Sequence, residues 1–246
     1  MQRTTLAFAL ALAGLPACQG QAPDAPAKSA VETEASQSPI PDSPASQATS
    51  PQSTPASTPA STPASMPNQS DDREPQLETA TLGAGCYWCV EAVLQQVDGV
   101  KEVVSGFMGG DSDEATYEQV CRGNTGHAEV VQVTFNPKVL PYEELLDWFW
   151  RLHDPTTLNR QGADVGTQYR SVIFYHSPEQ RRIAESSKQA ADASGHFAQP
   201  IVTEISPAGK LITGPDKHQD YYRQNRRQGY CQMVIAPKLR KLGLEE

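Results

Sequence analysis

Residues 77–97, LETATLGAGCYWCVEAVLQQV, decide the fold. Leu77–Leu82 reads as a strand, Gly83-Ala84-Gly85 as a turn, and Cys86–Val97 as a helix that Asp98-Gly99 stops. Val100–Phe107 is again strand-like and runs into Gly109-Gly110. A short helical piece is expected around Tyr117–Cys121, and Ala128–Phe135 is the clearest strand. Pro141–His153 is the clearest helix. Its proline sits at the start, and Tyr142, Leu145, Leu146, Phe149 and His153 share one face. Asp154–Gln168 reads as irregular, Tyr169–Tyr175 as a strand, Pro178–Ala193 as a polar helix and Ile201–Ile205 as a strand. Asp216–Asn225 is expected to be helical and the C-terminus a loop. This alternation with crossovers predicts an α+β fold, a mixed sheet with flanking helices.

Upstream the chain is a different material. Met1–Ala17 reads as a signal peptide, with Arg3 before the apolar stretch Thr5–Leu15. That stretch is too short for a spanning helix, which needs about 20 apolar residues. Leu15-Pro16-Ala17-Cys18 resembles a bacterial lipobox, which makes Cys18 the expected lipidation site. Simple cleavage and soluble export is the competing reading. Residues 18–75 are rich in Pro, Ser, Thr and Ala and lack Phe, Trp and Tyr. Ser-Thr-Pro-Ala repeats in tandem from Ser53 to Ala64. Such a stretch buries too little surface to offset its ordering entropy, so a disordered tether is expected before a folded domain at 76–246. The chain carries 20 basic and 29 acidic residues, net −9. That balance argues against a general nucleic-acid binder, which needs a basic face.

Cys86 draws the chemistry. A thiol at the start of a helix faces unpaired N–H groups and the positive helix end, which favour thiolate. Cys89, three residues on, is close enough to pair with it. Half of a metal site is the alternative for Cys-x-x-Cys, but Cys121 and Cys231 are single and lack histidines at finger spacing, so no metal is expected. Glu129 alternates with Val131, Val133 and Phe135 on an apolar face. Desolvation there would raise its pKa and make it a proton donor, whereas a position just past the strand end would leave it in water. Arg160–Arg170 is a glycine-punctuated loop that carries Asp164 and Tyr169. His127 reads as a packed or hydrogen-bonding residue. His153 reads as a structural residue at a helix end that favours positive charge, and His176, His196 and His218 read as surface residues. Arg181-Arg182 and Arg226-Arg227 read as solvated faces.

Together Gly85-Cys86-Tyr87-Trp88-Cys89, Thr116–Cys121, Gly126-His127-Ala128-Glu129, Phe149-Trp150 with His153-Asp154-Pro155, and Gly166–Arg170 resemble the peptide-methionine (S)-S-oxide reductase family in order and spacing. The resemblance covers roughly Ala80 to Leu239 and implies a ferredoxin-like core with long loops. It implies reduction of methionine sulfoxide without a cofactor, through a cysteine sulfenic acid and then a disulfide. By position, Cys86 matches the nucleophile and Glu129 the acid. Tyr117 and Tyr169 match phenols on the sulfoxide oxygen, Asp164 a further acidic residue, and Tyr87 and Trp88 the aromatic pair that holds the methyl group. The family usually has Phe at the position of Tyr87, and a phenol there needs a partner. The resolving thiol is Cys231 or Cys89, with Cys231 preferred. Cys121 matches a cysteine without a catalytic role and reads as core. Oxidised proteins or peptides and a thioredoxin-like reductant are the implied partners. The upstream segments imply export and an envelope location, the periplasm or cell exterior. A general thiol–disulfide oxidoreductase working through Cys86 and Cys89 is the alternative. Exchange needs neither Glu129 nor the two tyrosines.

Overall fold

The computed structural model describes residues 76–244. The expected signal, Cys18 and linker lie outside the described residues. Four strands and two helices make the core: β1 (Glu78–Ala84), α1 (Tyr87–Leu94), β2 (Val100–Met108), β3 (Ala128–Phe135), α3 (Tyr142–Leu152) and β6 (Ser171–Tyr175). α2 (Tyr117–Cys121) lies between β2 and β3, and the two-residue strands β4 (Arg160–Gln161) and β5 (Asp164–Val165) form a hairpin before β6. The chain continues with α4 (Pro178–Ala193), β7 (Glu204–Pro207), β8 (Ile212–Thr213), α5 (Tyr221–Asn225) and α6 (Ala236–Lys241).

The six-stranded sheet runs β7-β6-β1-β3-β2-β8. Its inner four strands interleave two strand–helix–strand units, the ferredoxin-like order. Every pairing is antiparallel except β6 with β7. The sheet is therefore mixed, as expected.

Strand alternation sorts the core. On β3, Val131, Val133 and Phe135 join Ala80 and Leu82 of β1 and the apolar faces of α1 and α3 in the main cluster. Val130 and Ala128 face the other way, into a smaller cluster with Met108, Val172 and Phe174. The register Leu82↔Val131 and Ser105↔Val131 places the C-terminal end of β1 beside the Glu129 end of β3. The glycine turn then delivers Cys86 above Glu129. Gly85 has φ +85, and a Cβ there would collide with Gln161. Only glycine makes this turn.

Several local expectations fail for identifiable reasons. The strand expected at Ile201–Ile205 forms three residues later. Ile201 N–H donates to Asp192, Val202 N–H to the Pro155 carbonyl, and the Thr203 carbonyl accepts from Lys188. Those groups are thereby taken from the ladder. The C-terminus is not a loop: Cys231–Ile235 is a π-helix that continues into α6. Cys231, Ile235 and Leu239 are fully buried at a four-residue spacing, one face of a helix. Cys121 is half-buried at the end of α2 rather than in the core. His218 is 6% exposed, not a surface residue. His153 is buried and pulled down to about 3 by burial, so it is neutral at the helix end, bonded to the Phe149 carbonyl and Ser171. His127 packs against Gly110 and bonds the Ser112 carbonyl, the structural role expected of it. Among the described residues no helix is long and apolar enough to cross a membrane.

Candidate active site

α1 opens without a side-chain cap of its own. Cys86 holds the N-cap position, and the first amide of the helix, Tyr87 N–H, donates to Glu129 Oε2 at 3.1 Å. The strand thus lends its carboxyl to an orphan helix donor and fixes Glu129 beneath the thiol. Glu129 is 3% exposed. Burial is the dominant influence and pushes its carboxyl up to about 8, against the single hydrogen bond from Tyr87. It therefore keeps its proton at neutral pH. The solvated alternative for Glu129 is not what the structure shows.

Two thiols and a phenol stand over that carboxyl. Cys86 and Cys89, one helical turn apart, are close enough that each thiol shifts the titration of the other. Burial pushes the Cys86 thiol well up, and the charges of Cys89 and Glu129 add to this. The hydrogen bond from Cys86 pulls Cys89 down to about 7. The helix start alone does not make Cys86 a thiolate, because burial outweighs it. The resting pair keeps a proton on Cys86 and directs it at Cys89. Tyr230 closes the group. Its hydroxyl lies 3.6 Å from Cys89 Sγ and 3.1 Å from Asp164 Oδ2. Asp164 is half-buried on β5, and burial raises its carboxyl. Tyr117 and the buried Tyr169 lie within electrostatic reach of both Glu129 and Cys86. Burial, followed by the charge of Glu129, raises both phenols, so each stays a hydrogen-bond donor.

Aromatic rings wall one side. Trp88 stacks on Tyr221 at 3.7 Å and 8°. Tyr87, 1% exposed, has the partner its phenol requires: the hydroxyl is 2.6 Å from His218 Nδ1. Tyr117 and Trp88 both meet the His218 ring edge-to-face.

The fold therefore gathers Cys86, Cys89, Glu129, Tyr117, Tyr169, Asp164, Tyr87 and Trp88, residues that span 84 positions of sequence. Cys231 is also free and fully buried, pushed up to about 11 by burial. Its electrostatic neighbour among the thiols is Cys89. Sequence reading missed Tyr230, Tyr221 and His218. Tyr230 stands next to Cys231 in the sequence, but its place over the thiols depends on the helical C-terminus. Among the described residues no three acidic, histidine or cysteine side chains gather into a metal site. A separate cleft of about 710 Å³, lined by Arg151, His153, Asp154 and Lys238, contains none of these groups.

A paired thiol at a helix start, facing a buried neutral carboxyl and several phenols, defines a thiol-based reductase. Comparison with known proteins gives the family. The peptide methionine sulfoxide reductase family matches residues 78–245. The peptide methionine sulfoxide reductase MsrA of Polynucleobacter asymbioticus is 52% identical over 172 residues, covering 70% of this chain and 90% of that protein. The MsrA of Leptospira borgpetersenii is 54% identical over 165 residues, covering 67% and 93%. Among solved structures, reduced Mxr1 from Saccharomyces cerevisiae aligns with a TM-score of 0.59 at 36% identity, over 63% of this chain and 89% of that one. Methionine sulfoxide reductase A of Corynebacterium diphtheriae aligns at 0.58 and 34%, over 65% and 80%. This chain belongs to the peptide methionine sulfoxide reductase family.

Proposed function

We infer that this chain reduces methionine (S)-sulfoxide, free or within peptides and proteins, to methionine, using its own thiols as the electron source. The observation that carries this reading is the buried carboxyl of Glu129, still protonated at neutral pH, under the Cys86–Cys89 pair. Disulfide exchange alone has no use for such an acid.

A sulfoxide sulfur is a poor electrophile until its oxygen is protonated. Glu129 supplies that proton, and Tyr117 and Tyr169 hold the oxygen as charge develops. Cys86 attacks the sulfur while its proton passes to Cys89. Methionine leaves, and the oxygen stays on Cys86 as sulfenic acid. A second thiol then displaces it as water, forming a disulfide. Cys89 lies one helical turn from Cys86, and the two thiols shift each other's titration, which supports it for this step. Cys231 is the next acceptor, reached through Cys89. Its buried place in the π-helix means that direct pairing with Cys86 requires that turn to move. A thioredoxin-like dithiol protein closes the cycle by reducing the disulfide. Trp88 and Tyr87 form the wall for the substrate methyl group.

The test is a single turnover with a methionine (S)-sulfoxide peptide, followed by a cysteine map. Loss of turnover in Cys86→Ser and a Cys86–Cys89 linkage in the parent chain are expected. Turnover in Cys86→Ser would overturn the mechanism, and a Cys86–Cys231 linkage would transfer the resolving role.

The upstream residues extend this to a place. We propose that residues 1–17 direct export, that Cys18 carries lipid, and that 18–75 tether the domain at 76–246 to a membrane in the cell envelope, where it repairs oxidised proteins. The apolar stretch, the lipobox-like Cys18 and the Pro-rich repeats support this. Several acyl chains anchor firmly because each buried CH2 contributes about 0.8 kcal/mol. Mass spectrometry of the mature N-terminus should find a lipidated Cys18. An unmodified terminus downstream of it would reject the anchor.

A further inference from the structure

Tyr87, whose ring lines the wall for the substrate methyl group, turns its hydroxyl onto His218, a buried polar contact that the sulfoxide chemistry does not use. Tyr87 is 1% exposed and His218 is 6% exposed, and their Oη···Nδ1 separation is 2.6 Å. Burial raises the Tyr87 phenol, which keeps its proton. Burial, and then Lys217, pulls His218 down to about 4, so the imidazole is neutral. Two neutral groups can share this bond in two ways. Either the phenol donates to a bare Nδ1, and the ring proton sits on Nε2, or Nδ1–H donates to the phenol oxygen. In the second arrangement the phenol's own proton needs another acceptor. The Tyr87 hydroxyl has no other hydrogen-bond partner among the described residues. A buried donor without an acceptor costs about 1–3 kcal/mol, and His218 Nε2 is not among the fully buried unpartnered atoms, so its hydrogen can reach solvent where the phenol's cannot, which selects the first arrangement.

We propose that Tyr87 is a positioning residue whose hydroxyl locks His218 as the neutral, Nε2-protonated tautomer and so sets the imidazole that supports the aromatic wall. The imidazole is the hub of that wall. It meets Tyr117 edge-on at 4.6 Å, Trp88 at 5.1 Å and Tyr221 at 6.4 Å. Edge-to-face contacts depend on where the ring's polar edges point, so a flipped or protonated imidazole presents a different surface to Trp88 and Tyr117. The Nε2–H makes no hydrogen bond among the described residues and is left to solvent or substrate. The groups that face His218 are the phenols of Tyr87 on α1, Tyr117 on α2 and Tyr221 on α5, with Glu118 on α2 and Lys217 on its own turn as the charges within reach. Glu118 opposes the downward pull of burial and Lys217. The functional consequence rests on the reading of Trp88 and Tyr117 as substrate contacts. The lock itself does not.

Nitrogen-15 NMR of the histidine side chains in the full reduced chain tests the lock without an activity assay. His218 should show the Nε2–H pattern from pH 5 to 8. In Tyr87→Phe the pattern should become a mixture of the two tautomers, while burial and Lys217 keep the imidazole neutral. An Nδ1–H pattern in the parent chain would overturn the proposal, as would an unchanged tautomer in Tyr87→Phe. His218→Asn places an amide oxygen where Nδ1 stood and should keep the Tyr87 bond, so it should be more stable than His218→Leu. Equal stability of the two would also count against the lock. On a sulfoxide peptide, the loss in Tyr87→Phe should fall on KM, about three- to tenfold, the size expected of one mis-set polar contact. A locked His218 in a chain that fails to reduce sulfoxide would remove the proposed function and leave the lock standing.

Discussion

Glu91 on α1 and Glu129 on β3 are both buried, 1% and 3% exposed, but they meet different neighbours. Glu91 accepts three hydrogen bonds at 3.1 Å each: Ser105 Oγ–H and Asp220 N–H on Oε1, and Tyr221 N–H on Oε2. Glu129 accepts one, from Tyr87 N–H. Burial raises both carboxyls, but for Glu91 three donors oppose it. All three donate toward the carboxyl, which suits a charged carboxylate. At Glu91 the net direction is still upward, whereas at Glu129, with one donor, burial carries the carboxyl up to about 8 and the proton stays. The same residue type at the same depth is a clamp in one place and an acid in the other, and the number of donors decides which. The clamp also serves the site. It pins Asp220, in the left-handed region at φ 50, and the start of α5, whose Tyr221 stacks on Trp88.

Substitution with glutamine should separate the two. Glu129→Gln removes the proton donor and leaves an acceptor for Tyr87 N–H. Steady-state assays should show kcat/KM lower by about 10²- to 10⁴-fold, the usual contribution of a placed general acid. A variant within a few-fold of the parent would break the comparison at its acid end.

The pH profile sharpens it. As pH rises through about 8, Glu129 loses its proton and kcat/KM should fall, approaching about tenfold per pH unit. The Glu129→Gln profile should lack that limb. Stability follows with a defined sign. Because the folded carboxyl titrates above its unfolded value, the folded state binds more protons between about pH 4.5 and 8, and stability falls with pH across that window. Denaturant melts should show Glu129→Gln gaining on the parent as pH rises through that range.

Glu91→Gln should do the reverse. It places amide hydrogens against backbone donors and should destabilise the fold by about 2–3 kcal/mol at pH 7, measured by urea unfolding. Its remaining activity should suffer mainly in KM, through Tyr221 and Trp88. Ser105→Ala removes one of the three donors and should cost about 1 kcal/mol, the smallest of these effects. A Glu91→Gln chain more stable than the parent would show that the clamp is not a charged group held by its donors.

Much of the site was legible because its chemistry is local. Cys86 and Cys89 sit in one glycine-flanked stretch. The alternation around Glu129 placed its carboxyl on an apolar face, and the structure keeps it there. His218 was not legible, because a histidine beside Asp216-Lys217 carries no sign that Tyr87 waits for it. Cys231 reads as the preferred resolving thiol on a C-terminal loop, and Tyr230 beside it carries no role. Their burial depends on the π-turn and α6, whose apolar repeat at 231, 235 and 239 does not stand out beside the equally apolar but exposed Met233 and Val234.

The sequence by itself determined the strand–helix order, the α+β class and Cys86, Cys89 and Glu129 as candidate reacting groups, because periodicity, glycine turns and residue chemistry are properties of neighbours in the chain; the ferredoxin-like core and the roles of Tyr117, Tyr169 and Asp164 are what the family resemblance implies. Only the tertiary structure decided protonation and pairing: which glutamate keeps its proton, that Cys86 rests as a thiol against Cys89, and that Tyr87 answers to His218. Those depend on burial and on donors that arrive from distant positions, and desolvation has no local sign in a sequence.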